Sequence, residues 1–121
     1  MESDSENVIP SSTGEEAGPL GTTLRVGTVR SCRPNQHARR PAWVLEIDLG
    51  PHGVRTTSAQ LTDRYPAEDL IGRQVVVATN LGVKRIAGIK SEVLVLGVAG
   101  PEQATILLQP AEVVPDGGLV H

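Results

Sequence analysis

The chain has 121 residues, 11 Lys and Arg against 14 Asp and Glu, and an N-terminus reading MESDSENVIPSSTGEEAG. That length suits one domain. No run approaches the roughly 18–20 apolar residues of a membrane-spanning helix, so membrane insertion is not expected. The N-terminus lacks both the basic and the apolar regions of a secretory signal.

Glu2, Asp4, Glu6, Glu15 and Glu16 lie in residues 1–20 with no Lys or Arg, while the remainder carries 11 basic and 9 acidic side chains. Ser, Glu, Pro and Gly dominate that acidic segment, too little apolar area to offset the entropy of ordering. A disordered tail over 1–20 and a single mildly basic domain over 21–121 are expected. Within it the periods change to two. Thr22 to Arg30 alternates as a strand, with Gly27 suggesting a bulge or bend. Ser31 to Pro41 is polar, basic and bounded by prolines, so it reads as a loop. Ala42 to Leu49 is a second strand, with Trp43, Leu45, Ile47 and Leu49 on one face. Gly50 to Gly53 turns the chain into a returning strand, Val54 to Ala59.

Asp63 to Ile71 breaks the pattern, and Pro66 is suited to the first position of a short helix that Gly72 ends. Gln74 to Thr79 is an apolar run of the kind buried on both sides. Lys84 to Gly88 reads as a short basic strand or turn. Glu92 to Val98 reads as a strand, Ala99 to Gln103 as a hairpin turn, and Ala104 to Gln109 as the partner strand. Pro110 to His121 is expected to run over the surface. The 15 Val and 6 Ile against 12 Leu favour a pleated sheet. The pattern predicts an all-β fold, a small Greek-key barrel or a β-sandwich. A single short helix between the third and fourth strands favours the five-stranded OB-fold Greek-key barrel, with flanking terminal segments.

Little of this supports catalysis. Cys32 is the single cysteine, which excludes an internal disulfide framework and suits a reducing, cytoplasmic setting. His37, His52, His121 and Cys32 never reach a tight metal-ligand spacing. Arg30 and Arg33 beside Cys32 would lower a thiol pKa, yet a lone cysteine at a strand end usually serves as a small hydrophobe. No Walker loop, dinucleotide fingerprint or nucleophile elbow occurs. Neither a metal nor a cofactor is expected, and the chain does not read as an enzyme. With no Phe, one Trp and one Tyr, repeated base stacking on aromatic side chains is largely ruled out.

Cations fall in three clusters: Arg25, Arg30 and Arg33; Arg39 and Arg40; and Lys84, Arg85 and Lys90. A barrel bringing some of these to one face would attract phosphate or acidic peptide segments. The same residues also suit ordinary solvated positions. Arg85 to Glu92 is the most distinctive stretch, because cations, Ser91 and Glu92 crowd between apolar strands.

Several segments in order carry a resemblance. They are Leu24-Arg25-Val26-Gly27-Thr28-Val29; Arg40-Pro41-Ala42-Trp43 leading into Glu46 to Gly50; Thr57 to Thr62 with Tyr65; Leu70 to Val75; and Asn80 with Arg85 to Gly97. Together they resemble the tRNA-binding-domain family of OB folds, over roughly residues 22–119, and within it the CsaA-type, stand-alone, export-related chaperones. Where many RNA-binding relatives continue with Gly-Met after the Ser-x pair, this chain has Val93-Leu94, which favours the CsaA branch. The resemblance implies a non-enzymatic homodimer that binds unfolded or precursor polypeptides, with structured RNA such as tRNA as the alternative ligand. Candidate binding residues are Arg40, Trp43, Arg73, Asn80, Lys84, Arg85, Lys90, Ser91 and Glu92, with Arg39 added for RNA. Trp43 is an apolar anchor in this reading, or else a cap on the core.

Overall fold

The computed structural model describes residues 21–121; the expected disorder of 1–20 lies outside them. Among the described residues there are nine strands. They are β1 (Leu24–Pro34), β2 (Trp43–Asp48), β3 (Val54–Ala59), β4 (Gln74–Ala78), β5 (Lys84–Ile86), β6 (Ile89–Ser91), β7 (Leu94–Val95), β8 (Gly97–Ala99) and β9 (Thr105–Leu107). A helix, α1 (Ala67–Leu70), lies between β3 and β4. The main sheet has the antiparallel order β3-β2-β1-β4-β7, and β5-β6 and β8-β9 are separate hairpins.

β1 runs to Pro34, four residues beyond the expected strand end at Arg30. Its first half pairs with β4 and its second half with β2. That division rolls the sheet into a barrel. The register shifts between Val29 and Ser31, leaving Arg30 as the extra residue of a bulge. The expected bulge is therefore real but lies three residues beyond Gly27. Gly27 has a different reason to be glycine: a Cβ there would sit 2.6 Å from Ile47 Cγ2 and 2.7 Å from Leu49 Cδ2.

The core gathers Val29, Leu45, Ile47, Leu49, Leu70, Val75 and Val77, each essentially inaccessible, with Leu61, Val93 and Leu107 beside them. Alternation in β2 places Leu45 and Ile47 inside and Glu46 outside, as a period of two requires. Leu70, the buried residue of α1, joins this core. Pro66 is the residue before the helix, not its first, with an extended ψ of 158°.

Two expectations for the later chain are corrected. Glu92 to Val98 is not one strand: β7 and β8 are separated at Leu96, whose amide bonds Val76 O while its carbonyl accepts from Leu108. Residues 110–121 are not merely a surface run. Gly117 N donates to Val26 O, Val26 N to Gly118 O and Val120 N to Leu24 O, so this segment lies against the edge of β1 that β2 leaves open. Gln74 fastens it by pairing with both backbone groups of Val114, at 2.7 and 3.0 Å. Asp116 accepts from Thr28 Oγ1 at 2.6 Å and faces Arg30.

Candidate binding groove

The free edge of β3 is where the barrel closes, and side chains do much of the closing. Ser58 N donates to Ser91 Oγ at 2.9 Å, and Thr56 N to Glu92 Oε1 at 2.9 Å. Glu92 N returns a bond to Thr56 O, and Thr57 Oγ1 donates to Val93 O at 2.7 Å. Ser91 and Glu92 thus occupy hydrogen-bonding places that a neighbouring strand would fill.

From this seam the β5-β6 hairpin projects. Its turn, Ala87-Gly88, has positive φ at both residues, 48° and 82°, the geometry of a type I′ hairpin turn. Alanine at such a φ is strained. Pairing sets Lys84 opposite Ser91, Arg85 opposite Lys90, and Ile86 opposite Ile89. Directly opposed residues share a face. The first and third pairs therefore face one way, and Arg85 with Lys90 the other.

The two faces differ in chemistry. On the first, Leu81, Lys84, Ile86, Val93 and Leu94 wall a groove of about 290 Å³ over Thr57, Ser58 and Ser91. Leu81, Ile86 and Leu94 are large aliphatics left 42%, 43% and 53% exposed. A neighbouring hollow shares Ser58 and Ile86 with the groove and is walled by His37, Arg39 and Arg40. On the second face Arg85 and Lys90 share a hollow with Arg33 from β1 and with Glu92 and Thr56.

The candidate residues therefore divide. Lys84 and Ser91 line the groove, and Arg40 stands beside it with Arg39. Arg85, Lys90 and Glu92 lie on the other face of the hairpin. Asn80 is buried, and its Oδ1 accepts from Thr22 Oγ1 and Thr23 N. Trp43 is half-buried against the core, its Nε1 donating to Tyr65 O at 2.9 Å. Arg73 lies apart. Its guanidinium sits 5.1 Å over the Tyr65 ring and donates to Gln109 Oε1 at 2.7 Å and Asp69 O at 3.0 Å.

Sequence reasoning missed Leu81 and Ile86 as groove residues, and it missed Arg33 as the neighbour of Arg85 and Lys90. One signal was available for the aliphatics. Leu81, Val83 and Ile86 stand among Gly, Lys and Arg, outside any stripe of apolar period. The lowering of the Cys32 thiol expected from Arg30 and Arg33 is overturned: burial pushes it up to about 11, which keeps it protonated at neutral pH and disfavours it as a nucleophile. Among the described residues no cluster of three or more His, Cys, Asp or Glu could hold a metal, and no helix is long and apolar enough to cross a membrane.

A five-stranded antiparallel barrel with a shared, bent first strand and a short helix before β4 is an OB fold. The family model "Putative tRNA binding domain" matches residues 24–118, and the chain belongs to that family, within its CsaA type. It is similar to the crystal structure of chaperone CsaA from Bacillus anthracis, 47% identical with a TM-score of 0.79, covering 84% of this chain and 93% of that one. A CsaA chaperone protein from Picrophilus torridus is 32% identical with a TM-score of 0.78, covering 84% and 94%. Methionine--tRNA ligase of Methanococcoides burtonii is 33% identical over 98 residues, 81% of this chain but only 14% of the ligase. The chain thus spans about a seventh of that curated relative's length.

Proposed function

We propose that the protein is a cytoplasmic, ATP-independent chaperone that binds unfolded or export-precursor polypeptides in the groove beside the β5-β6 hairpin. The observation that carries this is the set of exposed aliphatics, Leu81, Ile86 and Leu94, gathered round one concave site. Such a site suits apolar side chains of an extended segment, and Lys84, Arg39 and Arg40 suit acidic neighbours in it. The similarity to two structures titled as CsaA chaperones supports the same reading. Capture and release are a passive equilibrium. The working form is a homodimer, for which Val98 and Leu108, exposed on and beside the β8-β9 hairpin, offer apolar area. Sedimentation at micromolar concentration tests the dimer, and a monomer there counts against it.

The groove is tested with Leu94→Asp, which places a charge at an exposed position. Affinity for a fluorescent extended apolar peptide should fall at least tenfold, about 1.4 kcal/mol, with the melting temperature little changed. Unaltered affinity in the folded variant removes the groove from the site.

Structured RNA is the second reading. It is favoured by Arg85 lying directly opposite Lys90 with Arg33 alongside. Three cations share that hollow with the single carboxylate of Glu92, an excess of positive charge that suits a phosphate.

A further inference from the structure

The described chain begins beside the wall of the groove. Thr22 Oγ1 and Thr23 N both donate to Asn80 Oδ1, at 2.7 and 2.9 Å, and Thr79 N donates to Thr23 O at 3.0 Å. Thr23 and Asn80 are buried, so this latch is part of the domain and not a surface contact. The residue after Asn80 is Leu81, which lines the groove.

Charge at this place is one-sided. Lys84 lines the groove and Arg39 and Arg40 line the adjoining hollow, while no Asp or Glu lines either. The acid next to Ser91 in the chain, Glu92, has its carboxylate on the Thr56 amide and lines the hollow of Arg85 and Lys90 instead. Asp48 and Asp116 lie beside Arg30, and Glu68 and Asp69 on α1. The segment is the complement of that surface. Val8-Ile9-Pro10 is its aliphatic run, with Glu2, Asp4 and Glu6 on one side and Glu15 and Glu16 on the other. At roughly 3.3–3.6 Å per extended residue, the chain between Ile9 and Gly21 reaches about 40 Å, ample to return over a groove that begins at Leu81.

We propose that segment 1–20 is a built-in competitor for the groove, setting Val8 and Ile9 over Leu81, Ile86 and Leu94 and its carboxylates beside Lys84, Arg39 and Arg40. The proposal rests on the groove being the polypeptide site, and adds the regulation of that site. A short tether gives an effective concentration of the order of millimolar. Even a weak segment therefore holds the groove for much of the time, and a polypeptide must displace it. The apparent affinity for a polypeptide is lowered by the fraction of open grooves. Salt screens the charged part of the contact, so binding of an uncharged apolar peptide should strengthen as salt rises. Phosphate binding would respond in the opposite direction.

The test keeps the full chain and neutralises the segment with Glu2→Gln, Asp4→Asn, Glu6→Gln, Glu15→Gln and Glu16→Gln together. Two readouts are taken: affinity for a fluorescent apolar peptide, and amide chemical shifts in the 15N–1H spectrum. The expected result is peptide binding about three- to tenfold tighter than in the natural chain. It is accompanied by shift changes at Leu81, Lys84, Ile86 and Leu94, which a synthetic 1–20 peptide reverses when added. Unchanged shifts at those amides overturn the proposal, whatever the peptide does. Shift changes that grow with protein concentration place the segment of a second copy in the groove, and overturn the built-in form. If neither chain binds the peptide, the polypeptide reading fails, and the shifts still decide whether the segment occupies the groove.

Discussion

The indole Nε1–H of Trp43 donates to the backbone carbonyl of Tyr65 at 2.9 Å. Tyr65 in turn accepts the Leu107 amide on its hydroxyl at 3.1 Å and carries the Arg73 guanidinium over its ring. One tryptophan and one tyrosine therefore link β2, the approach to α1, and β9 across an end of the barrel. Replacing Trp43 by Phe keeps a ring and removes the donor, leaving the Tyr65 carbonyl without that partner. Stability should fall by about 1–2 kcal/mol, read by thermal or denaturant melts, with peptide affinity held within twofold. An affinity loss of fivefold or more at unchanged stability would return Trp43 to the binding surface.

Gly27 is set by packing. Gly27→Ala drives a methyl group into Ile47, Leu49 and the Asp48 carbonyl, and the two core side chains cannot yield without opening the barrel. A loss of about 1–3 kcal/mol is expected. A neutral or stabilising result in denaturant titration would show that β2 moves freely.

Arg85 and Lys90 are exposed and directly opposed. Replacing both with Gln removes their repulsion, so the fold should persist with stability within about 1 kcal/mol of the natural chain. If tRNA binds, its affinity should drop and the dependence of log K on log salt should become shallower by about two contacts. The groove lies on the opposite face, so apolar peptide affinity should change far less. Equal losses for both ligands would place them on one surface.

Two groups give opposite pH behaviour. Burial raises Cys32 to about 11 from an ordinary 9.0. The folded chain keeps this proton where the unfolded chain releases it, so the contribution is whole below pH 9 and is lost as pH rises towards 11. Alkylation by iodoacetamide at pH 8 should run about ten- to a hundredfold slower than for a free cysteine. Rapid labelling of the native protein would contradict this. The Gly50 amide, then the Arg30 guanidinium, hold Asp48 below its ordinary value. Its contribution is present above the usual carboxylate range and is lost as acid protonates it.

The sequence by itself determined the barrel. Alternation in Trp43 to Leu49, the apolar run at Gln74 to Ala78 and the break at Pro66 are local signals of period and propensity, and the structure carries them as β2, β4 and α1. The cations of Lys84 to Lys90 were equally legible as a cluster. Which way each one faces was not, because a two-residue turn at Ala87-Gly88 sets the pairing that separates Lys84 from Arg85 and Lys90. Tertiary structure alone decided the rest. Glu92 and Ser91 close the barrel because they meet the Thr56 and Ser58 amides more than 30 residues away in the chain, and residues 117–120 lie along β1 because β2 ends short of Leu24. The groove exists only where Leu81, Ile86 and Leu94 arrive from separate segments. Long-range contacts of that kind leave no period in the sequence, since nothing local repays the loop closure that makes them.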